Sequence, residues 1–175
     1  MKCELCEGET IIKSGQTYHY VESGLDNVYL ENIEVRVCES CGADSPRIPR
    51  ILDLHATIGQ ALTAQTYPLT GAEARFLRKE LGMKSKDWAA YLHVDVATLA
   101  LWENGEQGLG LQTDLLMRLF YLNLSAQRSG RALPKGSVEQ LASVLTQRTE
   151  GRSLFINPWQ PPQYSYRAAA EFAFA

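Results

Sequence analysis

The sequence predicts an α+β fold in which a small β module precedes an all-α domain. Three observations support this class. The four cysteines of the chain form two Cys-x-x-Cys pairs near its start. Segments rich in strand-forming residues lie between those pairs, and apolar residues recur at helical spacing from residue 49 onward. The predicted domains are 1–48 (β domain), 49–68 (connecting helix), 69–125 (helical domain) and 126–175 (C-terminal extension).

The cysteine pairs indicate a metal site. Two pairs of thiolates at this spacing are typical of a tetrahedral site whose usual occupant is Zn²⁺. A closed shell of four thiolates leaves no position for water, so the zinc is expected to stabilise the fold rather than catalyse a reaction. The alternatives are a redox dithiol or two disulfides, but a disulfide across two residues would constrain little of the chain. The histidines are not required as ligands. The predicted zinc ligands are Cys3, Cys6, Cys38 and Cys41.

Composition and charge limit the kinds of partner that the chain is expected to bind. The chain is 45% apolar and 21% charged, as folded soluble proteins are. It lacks an apolar run of membrane-spanning length and a signal-peptide core at its start, so a cytoplasmic protein without membrane contact is expected. Residues 1–50 carry nine acidic and five basic side chains, whereas 126–175 carry three acidic and six basic ones. The acidic segment 1–50 is unsuited to binding the phosphates of a nucleic acid, and its charge favours a basic protein partner.

The β module is expected to contain three strands. Strand-forming residues are concentrated at 17–21, 27–30 and 33–37, with turns at Gly15, Ser23-Gly24 and Asn32. Gly8 and Gly42 each follow a cysteine pair. Each pair is expected to lie on a tight turn, called a knuckle here, whose backbone amides point at the thiolates.

The helices follow from periodicity and capping signals. Ile51, Leu54, Ile58 and Leu62 predict a connecting helix over 49–66, which Tyr67-Pro68 ends. Thr70 and Glu73 fit a capping box at the start of the next helix. The further helices are expected over 70–81, 85–92, 96–104 and 111–124, with 138–147 as a weaker candidate.

Residues 70–105 have the layout of a helix-turn-helix. Each helix has an apolar inner face, and the small residue Ala89 suits a close helix crossing. Asp95 is expected to cap the third helix, which would enter the DNA major groove. The inner-face residues are Phe76, Leu77, Leu81, Trp88, Ala89, Leu92, Val94, Leu99 and Trp102.

The stretch from Leu81 to Gly105, which closes with Trp102-Glu103-Asn104-Gly105, resembles the XRE/Cro-type helix-turn-helix. Together with the initial Met-Lys-Cys-x-x-Cys and the later Cys-x-x-Cys-Gly, it resembles the MqsA/YgiT-type antitoxins over about residues 1–48 and 70–125. The resemblance implies a zinc domain that binds and masks a toxin. It also implies a helix-turn-helix that dimerises and represses its own operon through a palindromic operator.

The expected DNA contacts are unusual for that family. Four of them form an apolar outward face of the third helix, which suits contact with thymine methyl groups better than hydrogen bonding to bases. His93 replaces the usual turn glycine, which predicts an unusual backbone angle there. Arg75, Arg78 and Lys79 are further candidates for phosphate contact. The predicted DNA-binding residues are Lys84, Ser85, Lys86, Val96, Ala97, Thr98, Ala100 and Leu101.

Three functions are compatible with this pattern. The first is an antitoxin and autorepressor, the second a zinc-containing transcriptional regulator without a toxin, and the third a protein-interaction adaptor whose helix-turn-helix does not bind DNA. An enzyme is not expected, and Glu103 is expected to form a structural hydrogen bond. A homodimer is expected, through the C-terminal extension and a broad apolar face of 111–124 formed by Leu115, Leu116, Leu119, Phe120 and Leu122.

Overall fold

The computed structural model describes residues 2–130 and 154–159 and confirms a mixed α+β fold. These residues divide between two compact units, which we call the sheet unit (2–54 and 154–159) and the helical unit (55–130). In the described part, no helix is both long and apolar enough to cross a membrane. In chain order the elements are β1 (Thr10–His19), β2 (Val28–Cys38), β3 (Asp44–Arg47), α1 (Ile51–Ala64), α2 (Gly71–Glu80), α3 (Ser85–Leu92), α4 (Val96–Glu103), α5 (Leu111–Ser129) and β4 (Leu154–Ile156).

Strand β2 is the centre of the sheet. It pairs antiparallel with β1 along nearly its whole length. Its other edge pairs antiparallel with β3 and, nearer its start, parallel with β4. One face of the sheet is buried, and its side chains are Val28, Leu30, Ile33, Val35, Leu154 and Ile156.

The prediction of separate strands at 27–30 and 33–37 is wrong, because both belong to β2. Asn32 lies inside β2 with a φ of 56°, and Gly15 lies inside β1 with a φ of 69°. The pairing of the two strands shifts between Lys13 and Gln16, as at a β-bulge. These two turn-forming residues therefore produce an irregularity in a continuous strand pair rather than a chain reversal. The turn at Ser23-Gly24 is confirmed.

The C-terminal extension, for which the sequence predicts no strand, contributes β4 to the sheet unit. Leu154 and Ile156 are 4% and 0% exposed, and Phe155 stacks on Tyr29 with ring centroids 5.1 Å apart. The Arg47 guanidinium lies 5.8 Å from the centre of the Trp159 ring. The weaker helix candidate over 138–147 lies outside the described residues.

The helices predicted between residues 70 and 104 are confirmed. Thr70 Oγ1 accepts a hydrogen bond from the Glu73 N–H at 3.2 Å, and Glu73 Oε2 accepts one from the Thr70 N–H at 2.7 Å, which completes the capping box. Gly71 packs so closely on the end of α4 that a Cβ would lie 2.1 Å from the Trp102 carbonyl oxygen. Of the predicted inner-face residues, all are buried except the half-buried Val94.

Asp95 occupies the cap position of α4, but its side chain accepts no capping hydrogen bond. The predicted position of the cap is therefore confirmed, and only the side-chain hydrogen bond is missing. Asp95 is exposed, and its carbonyl oxygen accepts the first helical bond from the Leu99 N–H at 3.0 Å.

The buried side of helix α5 is not its most apolar side. The buried residues are Asp114, Met117, Arg118 and Tyr121. On the predicted broad face, Leu119 is 38% exposed, while Phe120 packs edge-on against Trp88 and Tyr91. The remaining members of that face, Leu115, Leu116 and Leu122, are half-buried.

Arg118 ties α5 to the end of α1 and the loop after it. The side chain is fully buried, its Nε donates to Asp114 Oδ1, and the other Asp114 oxygen accepts from the Leu69 N–H at 2.7 Å. The guanidinium satisfies carbonyl groups that the helix end leaves free. Those acceptors are the carbonyl oxygens of Leu62, Thr63, Gln65 and Tyr67, at 3.2, 3.2, 2.7 and 2.6 Å.

Candidate metal centre and candidate nucleic-acid interface

The two cysteine pairs sit on two knuckles with the same backbone hydrogen bonding. The Cys3 N–H donates to the Gly8 carbonyl at 2.9 Å, and the Cys38 N–H donates to the Ala43 carbonyl at 2.8 Å. Each bond spans five residues and closes the loop that carries one pair. The knuckles therefore present their thiols in the same way.

A left-handed residue follows each pair at the matching position. Glu7 and Gly42 have φ values of 58° and 73°, and their N–H groups donate at 3.0 Å to the carbonyls of Cys3 and Cys38. In the first knuckle this conformation is therefore taken by Glu7 and not by the neighbouring Gly8.

Gly8 has a different role: because it lacks a side chain, the two knuckles can approach each other closely. A Cβ on this residue would lie 2.5 Å from Ser40 Oγ and 3.3 Å from Cys6 Sγ. These distances are shorter than van der Waals contact, so a side chain at residue 8 would push the cysteine pairs apart. The position of Gly8 after the first cysteine pair predicts its place in the knuckle but not its contact with Ser40.

The four sulfur atoms form one cluster. All lie within 4.8 Å of one another, with 3.7 Å between Cys3 and Cys41 and 3.4 Å between Cys6 and Cys38. Tetrahedral coordination with Zn–S bonds of about 2.3 Å requires sulfurs about 3.8 Å apart. The thiols are free, and Cys3 and Cys38 are buried while Cys6 and Cys41 are exposed. The cluster has the chemistry and the size to hold a metal ion.

Backbone dipoles favour thiolates at this cluster. The N–H groups of Cys41 and Ser40 lower the pKa of the Cys38 thiol to about 6, against the opposing effect of desolvation. The Gly8 N–H acts to lower the pKa of Cys6, but the hydrogen bonds that Cys6 shares with the other three thiols raise it to about 12. The thiols thus share protons that a metal ion would displace.

None of the three histidines belongs to the thiol cluster. His19 stacks on Tyr29, and its Nε2 lies 2.9 Å from the Asp26 carbonyl oxygen. His55 packs edge-on against Phe76, and burial lowers its pKa. His93 is exposed and has a φ of 54°, which confirms the unusual backbone angle predicted there.

The predicted DNA-binding residues lie around α3 and α4. Six of the eight are exposed, and Ser85 and Thr98 are half-buried. The exposed side of α4 is apolar, with Val96 46% and Leu101 39% exposed beside Ala97 and Ala100. At the start of α3 the exposed residues Lys84 and Lys86 supply positive charge.

Arg78 is committed to a buried ion pair. Its Nε and Nη2 donate to the two carboxylate oxygens of Glu103 at 2.6 and 2.7 Å, and its Nη1 donates to the Met83 carbonyl at 2.9 Å. Glu103 holds the pKa of Arg78 above its usual range. The prediction that Arg78 is available to phosphate is therefore wrong, whereas the structural role predicted for Glu103 is confirmed. Arg75 also donates to the Glu103 carbonyl, at 2.7 Å.

Comparisons of the chain with protein-family models, curated proteins and solved structures found no match. The four-thiol cluster and the exposed surface of α3 and α4 are therefore the basis for assigning a function.

Proposed function

We propose that the chain is a cytoplasmic, zinc-containing transcriptional regulator, and specifically the antitoxin and autorepressor of a type II toxin-antitoxin pair. One observation carries this proposal. The same chain contains two features. The sheet unit holds a thiol cluster of tetrahedral dimensions, and the helical unit holds two short helices joined by a turn in which His93 is left-handed. This combination supports the MqsA/YgiT-type layout that the motifs resemble, with α2, α3 and α4 as the helix-turn-helix.

Zinc has a structural role in this proposal. A sheet unit of this size buries little apolar surface, and metal binding adds directly to its folding free energy. Metal analysis of the purified protein should find one zinc per chain, held by Cys3, Cys6, Cys38 and Cys41. Protein that contains neither zinc nor iron would rule out the metal site.

DNA binding is assigned to the helical unit because α4 exposes a continuous face and α3 begins with two exposed lysines. The lysines would contact phosphates, and the apolar residues of α4 would contact thymine methyl groups. Such an interface obtains most of its affinity from charge. Its sequence specificity is expected to be modest.

A fluorescence anisotropy titration with the protein's own upstream DNA tests this assignment. Affinity should fall steeply between 50 and 200 mM salt. Lys84→Ala and Lys86→Ala should each weaken binding to all sequences and reduce the salt slope by about 1. Lys13→Ala, which removes an equal charge from the sheet unit, is the matched control. Absent or salt-independent binding would contradict the proposal.

The proposed partner of the sheet unit is a basic toxin, since residues 1–50 carry a net charge of −4. The gene beside this one should encode a small basic toxic protein that copurifies with the chain. The chain is also proposed to act as a homodimer on a symmetric operator. A monomer in light scattering at concentrations that bind DNA would contradict the dimer.

A second candidate is a protein-interaction adaptor. The exposed apolar side chains of Tyr91, Val96 and Leu101, which are 47%, 46% and 39% exposed, favour it because a face of this kind can bind protein. A regulator without a toxin is the remaining alternative. Absence of a toxin gene nearby would favour that regulator, and absence of DNA binding would favour the adaptor.

A further inference from the structure

Arg36 lies at the centre of the sheet face opposite the buried one. In the register of the sheet, Arg36 of β2 pairs with Ile12 of β1 and with Ser45 of β3. Residues paired directly across strands point to the same side, and successive residues point to opposite sides. Because its neighbour Val35 is only 6% exposed, Arg36 shares the open face with Ile12 and Ser45.

The charge of Arg36 is not neutralised within the described part of the chain. Its Nε is inaccessible to solvent and has no hydrogen-bond acceptor, and Arg36 forms no ion pair among those residues. The other arginine on this face, Arg47, donates to Glu34 at 3.0 Å. Arg36 thus has no carboxylate partner among the described residues of this face.

Two shallow depressions meet at Arg36, and apolar groups border both. The larger, of about 420 Å³, is lined by Arg36 with Ile12, Ser45 and Pro46 and by the paired side chains of Glu34 and Arg47. The smaller, of about 250 Å³, lies beside the thiol cluster and is lined by Arg36 with Leu5 and Thr10 and with the charged residues Lys2, Glu4 and Asp44. Ile12 and Leu5 are 63% and 82% exposed, which is high for large apolar side chains.

We propose that Arg36 anchors a protein-docking face, where it binds an Asp or Glu carboxylate of a partner whose apolar side chains cover Ile12 and Leu5. A guanidinium pairs with a carboxylate through two parallel hydrogen bonds, and apolar surroundings that exclude water strengthen such a pair. This deepens the partner-binding role proposed above and rests on it. The net charge of the unit attracts a basic partner over distance, while Arg36 selects one acidic group at contact.

The charge of the surroundings favours protein over nucleic acid as the occupant. A nucleic acid presents many phosphates, and the surplus of acidic residues in 1–50 would repel them. A peptide can present one carboxylate between apolar side chains, which matches an unpaired Arg36 beside the exposed Ile12 and Leu5.

Selection of a displayed library of random 12-residue peptides on the zinc-loaded full chain tests the proposal. We expect enriched peptides to carry Asp or Glu next to Leu, Ile, Val or Phe. The most enriched peptide and its Glu→Gln or Asp→Asn version are then titrated by fluorescence anisotropy. Arg36→Gln and Arg36→Ala should weaken binding of the acidic peptide about 10- to 100-fold, and Arg36→Lys should weaken it less.

Lys13→Ala is the matched control, because Lys13 pairs with Val35 and so lies on the opposite face. It should leave peptide binding unchanged. Zinc content and circular dichroism establish that each Arg36 variant is folded. No enrichment, enrichment without acidic residues, or equal binding by Arg36→Gln would overturn the proposal. Loss of DNA binding in Arg36→Gln with peptide binding intact would overturn it in favour of nucleic acid. Failure of the DNA titration with wild-type protein would count against the proposed function alone.

Discussion

Glu103 belongs to the Trp-Glu-Asn-Gly motif that ends α4, and its carboxylate joins that helix to α2. The side chain is 7% exposed, and Arg78 opposite it is 8% exposed. Two charges removed from water in this way cost several kcal/mol each, and their two hydrogen bonds offset that cost only while both partners are present. The motif residue therefore acts through the packing of the helices.

Glu103→Ala should destabilise the helical unit by about 3–5 kcal/mol, because it leaves the Arg78 guanidinium buried and unpaired. Urea unfolding followed by far-UV circular dichroism measures the change. Glu106→Ala, three residues along and exposed, should change stability by less than about 0.5 kcal/mol. Equal stability of the two variants would contradict the structural role of the ion pair.

Gly8→Ala should weaken metal retention, because the new Cβ would lie 2.5 Å from Ser40 Oγ. The double variant Gly8→Ala, Ser40→Gly removes the atoms that the Cβ meets first, and it should recover part of the lost affinity. Competition with a chromophoric zinc chelator measures the affinity of each protein. Unchanged affinity in Gly8→Ala would show that the knuckles can separate at no cost.

At the scale of elements, the sequence predicts the helices well and the strands poorly. The capping box of Thr70 and Glu73 and the apolar spacing of α2 to α4 are local signals, and local hydrogen bonds form those helices. β4 has only three residues, and its partner β2 lies at the other end of the chain, so no local pattern reveals the pairing. The four-thiol site was predictable because cysteine spacing alone restricts its geometry.

Helix α5 shows why an apolar pattern is an incomplete guide to the core. Its buried stripe includes Asp114 and Arg118, which periodicity assigns to solvent because both are charged. The one signal in the sequence is their spacing of four residues, which permits an ion pair on a helix. Their burial depends on the free carbonyls at the end of α1, and those carbonyls are visible only in the fold.

Asp114→Ala should cost about 3–5 kcal/mol, since Arg118 keeps its buried charge without a carboxylate to balance it. The double variant Asp114→Leu, Arg118→Met should not recover the loss, because it also leaves the carbonyl groups of Leu62, Thr63, Gln65 and Tyr67 without their donor. Each unsatisfied buried group costs about 1–3 kcal/mol. Urea unfolding tests both variants, with exposed Gln112→Ala as the control, and full recovery in the double variant would contradict this account.

At the scale of the whole molecule, the sheet unit is built from both ends of the chain. Removal of metal with a strong chelator should therefore unfold residues 2–48 together with 154–159 while 70–125 stay folded. Hydrogen exchange detected by mass spectrometry, compared before and after chelation, measures each segment. Retained protection of 154–159, or loss of protection in α2 to α4, would contradict this division.

The pairing of β4 with β2 has a consequence for synthesis. At 5–20 residues per second, the ribosome needs roughly 6–25 s to pass from Leu30 to Ile156, and the whole helical unit is translated in between. During that interval the nascent chain carries an unpaired strand edge at Val28–Leu30, which is a template for pairing with other chains. The rate at which residues 131–156 are translated should therefore influence aggregation and chaperone demand during expression.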